Sequence, residues 1–78
     1  MTTTNKIISF LDSFKSLNRY IFDFTLTHGS CYDEFILNFE FPVQCALLFS
    51  LIHDMLIENT SFYLESSKVI RILVVGNA

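Results

Sequence analysis

The chain has no tryptophan, a single proline, two glycines and two cysteines in 78 residues. So little glycine and proline excludes collagen-like and low-complexity character. Cys31 and Cys45 are too few for the disulfide framework of a small secreted scaffold, and no CxxC pair exists. One Cys31–Cys45 bridge is open to the sequence, but Cys45 reads as a buried helix residue, so two reduced thiols in a cytoplasmic protein are expected. A long apolar run is also missing. The richest stretch, Val43 to Ile57, is interrupted by Gln44, Ser50, His53 and Asp54, and a bilayer span needs about 20 mostly apolar residues. Near the start, Ser9 and Asp12 break the apolar stretch after Lys6-Ile7-Ile8, so no targeting segment and no membrane association are expected.

What the chain does have is apolar bulk. Hydrophobic residues make up 51%, mean hydropathy is +0.45, and nine Phe and three Tyr supply the aromatic content. Such a composition folds rather than staying disordered, and the length suits one small domain over residues 1–78. A net charge of −3 and a pI near 5.0 oppose direct nucleic-acid binding, which calls for a basic footprint.

The hydrophobic period changes along the chain. Ile7, Phe10/Leu11, Phe14 and Leu17 recur every three or four residues after the polar lead Thr2-Thr3-Thr4-Asn5, predicting an amphipathic helix over about 5–17. At Arg19 the period becomes two. Tyr20, Phe22, Phe24 and Leu26 alternate with Arg19, Ile21, Asp23, Thr25 and Thr27. Phe35, Leu37, Phe39 and Phe41 alternate in the same way with Glu34, Ile36, Asn38 and Glu40. These are two half-buried strands of a hairpin over about 19–41. The turn falls in His28–Asp33, where Gly29 is free to take a positive φ. Pro42 suits the first turn of a second helix, predicted to run to Glu58 with Asn59 as its C-terminal cap. Cys45, Leu48, Phe49, Ile52, Met55 and Leu56 share its core face, while Val43, Leu47, Leu51 and Ile57 are surplus to it. Phe62–Leu64 is a candidate short strand, and the β-branched run from Lys68 to Val75, broken only by Arg71, suits a central one. The order α-β-β-α-(β)-β predicts an α+β fold, two helices on one face of a small, mainly antiparallel sheet.

Chemistry is sparse. His28-x-x-Cys31 lacks the second ligand pair of a structural zinc site, even with Asp33 adding an oxygen. Cys31 stands near Asp33 and Glu34, which disfavour a thiolate, and Cys45 points to the core. Asp23 and Glu40 are expected on an open face, where carboxylates make poor acid–base pairs. His53 and Asp54 are neighbours on a helix and do not face each other, and His53 is expected at the edge of the core. Val75-Gly76-Asn77 is no phosphate loop. No catalytic residue, metal or cofactor is expected.

The charge order carries more information. Residues 20–67 hold seven acids and no base, a charge of −7, against +4 for the remainder. The alternation turns Asp23, Glu34 and Glu40 to solvent, with Asp33 at the hairpin tip and Ile21 and Ile36 between them. An acidic face with apolar inserts suits docking on a basic surface of a larger protein. The leading expectation is therefore a non-enzymatic inhibitor or adaptor. Phage anti-CRISPR and nuclease-immunity proteins exemplify that class, although no motif of such a family is present. The alternative is a homodimeric structural or regulatory domain associating through residues 42–58, with Val43, Leu47, Leu51 and Ile57 at the interface.

Overall fold

The computed structural model describes residues 3–17, 20–55 and 59–75. Two helices, α1 (Thr3–Ser16) and α2 (Pro42–Asp54), accompany four strands, β1 (Phe22–His28), β2 (Tyr32–Phe39), β3 (Thr60–Ser66) and β4 (Val69–Val75). The strands form one antiparallel sheet in the order β1-β2-β4-β3. The α+β architecture read from the sequence is the one observed.

Register explains the core. Phe22 pairs with Phe39, Phe24 with Leu37 and Leu26 with Phe35; Phe35 in turn meets Ile72, and Ile72 meets Phe62. These side chains share the inner face, where the Phe22 and Phe39 rings stack with centroids 4.9 Å apart. From the helices, Ile7, Leu11, Cys45, Leu48 and Ile52 join the same buried cluster as Phe35, Leu37, Ile70 and Ile72. Both helices thus lie on the inner side of the sheet.

Several boundaries differ from the alternation pattern. Strand β1 begins at Phe22, so Tyr20 and Ile21 precede it, and Tyr20 packs edge-on against Phe14 at 5.3 Å. Phe41 is not an inner strand residue. It is half-exposed and serves as the N-cap of α2, because Pro42 commits the chain to a helix at the next position. Leu17, expected on the apolar stripe, lies beyond α1 and is exposed. Phe24 is only partly buried, on an edge strand, whereas Phe35 is fully enclosed.

The β1–β2 loop is Gly29-Ser30-Cys31. Gly29 needs no positive φ there. Its N–H donates to the Tyr32 carbonyl at 2.8 Å, and a Cβ would stand 2.8 Å from that same oxygen. Asn59 does adopt the left-handed conformation, at φ 59°, but as the residue entering β3, where its carbonyl accepts from the Val75 N–H. The second hairpin turns at Ser67-Lys68, and a bulge interrupts β3 between Leu64 and Ser66. Met55 caps α2 and is half-exposed rather than part of the core. The predicted continuation of that helix through Leu56, Ile57 and Glu58 falls outside the described residues, as do Arg19, Gly76 and Asn77. Both cysteines are free, Cys31 exposed and Cys45 buried, and burial pushes the Cys45 thiol up from its ordinary value. No helix among the described residues is long and apolar enough to cross a membrane.

Candidate partner-binding surfaces

The outer face of the sheet carries no helix among the described residues. Strand pairing lays its residues out in rows: Thr25–Ile36–Arg71–Tyr63, then Thr27–Glu34–Leu73–Ser61, then Asp23–Asn38–Val69–Ser66. Ile36, Val69 and Leu73 are half-buried, while Tyr32, Tyr63 and Val75 are exposed. Most of the expected acidic face is here. Asp23 projects almost fully into solvent, with Lys15 of α1 reaching it at 3.4 Å, and Glu34 is partly buried. Glu40 is exposed just past β2, and its N–H donates to the Ile21 carbonyl. Ile21 is exposed before β1, its own N–H donating to Gln44 Oε1 at 2.7 Å.

Arg71 occupies the middle of this face. Its guanidinium donates through one terminal nitrogen to Glu34 at 2.8 Å and through the other to Glu65. Those two bonds raise its already high pKa, Glu34 contributing most. The Nε–H is buried without a partner among the described residues. Glu34 is therefore not a free acid but one arm of a fork on a central strand. Charge order alone misses this, because Arg71 is remote from the hairpin in sequence. Alternation within β4 was the available signal: with Ile70 and Ile72 inward, Arg71 must face outward. The same rule applied to β3 places Tyr63 and Glu65 there.

Asp33 corrects the expectation most sharply. Strand β2 begins at Tyr32, so Asp33 belongs to the inner face opposite His28 and Val74 and is buried. Thr4 Oγ1 donates to its Oδ2 at 2.7 Å, and His28 Nδ1 lies 2.9 Å from Oδ1. The Thr4 hydrogen bond, more than His28, holds the carboxyl below its ordinary pKa. Asp33 thus ties the start of α1 to the hairpin and is buried on the inner face rather than standing at an exposed hairpin tip.

Helix α2 presents the second surface. Val43, Leu47, Leu51 and Met55, at four-residue spacing, are 70%, 54%, 43% and 46% exposed. Three of the four residues expected to be surplus, Val43, Leu47 and Leu51, are uncovered, while Ile57 is outside the described residues. Beside the stripe, Phe49, Ser50, His53 and Asp54 line an open cleft of about 310 Å3. His53 is exposed, not at the core edge, with its ring 6.0 Å from that of Phe49. Among the described residues no three His, Cys, Asp or Glu side chains converge as a metal site would require. Compared with protein families, curated proteins and solved structures, the chain matches none.

Proposed function

We propose that this protein is a non-enzymatic binding domain, an inhibitor or adaptor that docks the outer face of its sheet on a basic surface of a larger protein. The observation carrying this reading is the composition of that helix-free face. Ile36, Val69 and Leu73 form an apolar centre, and Asp23, Glu34 and Glu65 stand around it, Glu34 and Glu65 held by Arg71 and Asp23 reached by Lys15 from α1. Carboxylates at the rim steer a basic partner, and the apolar centre holds it once water is excluded. Arg71 adds pre-organisation, because two of the three carboxylates are already held by its fork and lose little freedom on docking. Glu40, with Ile21 beside it, extends the acidic rim beyond the strand ends.

The test is comparative capture from the native host. Wild-type protein is expected to retain a basic protein that elutes as salt rises, and the Asp23→Lys/Glu40→Lys variant is expected to lose it. Ile36→Ala, removing the anchor, is expected to raise the dissociation constant through faster release. Equal capture by wild type and the double-lysine variant would overturn the reading.

A further inference from the structure

We infer that α2 is a self-association surface, pairing with α2 of a second copy in an antiparallel, two-fold arrangement. This does not rest on the sheet-face reading, since the two surfaces lie on opposite sides of the molecule. Three observations converge on a second copy as the occupant.

First, Val43, Leu47, Leu51 and Met55 form a single ridge of four-residue spacing, all four exposed. Ridges of that spacing interdigitate with their own kind when two helices cross. A two-fold axis beside Phe49 sets Leu47 against the second copy's Leu51, and Val43 against its Met55. An isologous interface needs such a self-complementary patch.

Second, α2 carries no formal charge from Pro42 to Ile52. Each copy bears −3 overall, so two copies repel less across this face than across the acidic sheet. A basic partner, by contrast, finds no carboxylate to pair with along those residues.

Third, the two ends of α2 complement each other. Its N-terminus has no side-chain cap and no acid in its first turn, so the free N–H groups at the positive end of the helix dipole have no carboxylate within that turn. At the other end Asp54 is exposed on the same side as Val43 and Leu47. Antiparallel pairing brings each Asp54 to the second copy's first turn, near its Gln44, and the symmetry makes this contact twice.

The experiment is equilibrium sedimentation across a concentration series, with circular dichroism on every variant. Wild type is expected to approach twice 9.0 kDa at high micromolar concentration. Leu47→Glu is expected to sediment at 9.0 kDa with an unchanged spectrum, because Leu47 lies outside the core. Asp54→Asn is expected to weaken the dimer roughly three- to thirty-fold at low salt, two dipole contacts being lost, and Asp23→Lys, on the sheet face, is expected to leave it intact. A wild type that stays at 9.0 kDa overturns the proposal, and so does a Leu47→Glu variant that still dimerises. If Asp54→Asn leaves the dissociation constant unchanged, the antiparallel arrangement is wrong.

Discussion

The Asp33 carboxyl titrates below its ordinary value of 3.8 because Thr4 donates to it and His28 stands beside it. A carboxylate whose folded pKa is depressed contributes stability above its unfolded pKa, and that contribution is lost as pH falls through the folded one. The melting temperature is therefore expected to drop as pH is lowered below about 3.8. Asp33→Asn and Thr4→Val should each flatten this part of the profile, which thermal unfolding at a series of pH values would measure. Apolar burial predicts the contrast between two phenylalanines. Phe35→Ala, emptying a fully enclosed site, should cost about 3–5 kcal/mol in urea unfolding. Phe41→Ala at a half-exposed position should cost far less, about 1 kcal/mol. Both residues sit in the same alternating run, so period alone ranks them equally. What separates them is where the strand stops, and that is set by Pro42. The same one-residue sensitivity hid Asp33, whose face depends on β2 starting at Tyr32.

The β1–β2 loop closes because Gly29 lets the Tyr32 carbonyl approach. Gly29→Ala would place a Cβ 2.8 Å from that oxygen and disrupt the N–H···O bond the two residues make. The expected loss is about 0.5–1.5 kcal/mol, with amide exchange quickening first at residue 29, whose N–H makes that bond. Glycine at this loop was legible in the sequence, but its reason was not, since close approach is a property of the folded hairpin. The elements themselves were largely readable. Helix α1, both hairpin strands and the central strand β4 announce themselves by period and by β-branched composition. Strand β3 was harder. Its Ser and Glu residues match an exposed edge, where little burial pattern survives.

Sheet order was beyond the sequence altogether, because the β2–β4 pairing joins segments on either side of α2. That pairing sets Arg71 between Glu34 and Glu65 and so shapes the proposed docking face. Arg71→Ala is expected to lower the melting temperature by leaving two carboxylates close together, with 1 M salt narrowing the gap to wild type. Adding Glu34→Gln should recover part of the loss, which a double-mutant cycle would measure. The order β1-β2-β4-β3 also bears on how the chain finds its structure. Each outer pair is a local hairpin, closed by a short turn, whereas β2 and β4 must meet across the whole of α2. Closing that large loop is the slow entropic step in such a topology. Substitutions along the seam, such as Leu37→Ala or Ile70→Ala, should therefore slow refolding. Phe62→Ala on the outer strand should leave the refolding limb of the chevron almost unmoved and speed unfolding instead, making the β2–β4 seam the rate-setting weld and the packing of β3 a late addition to it.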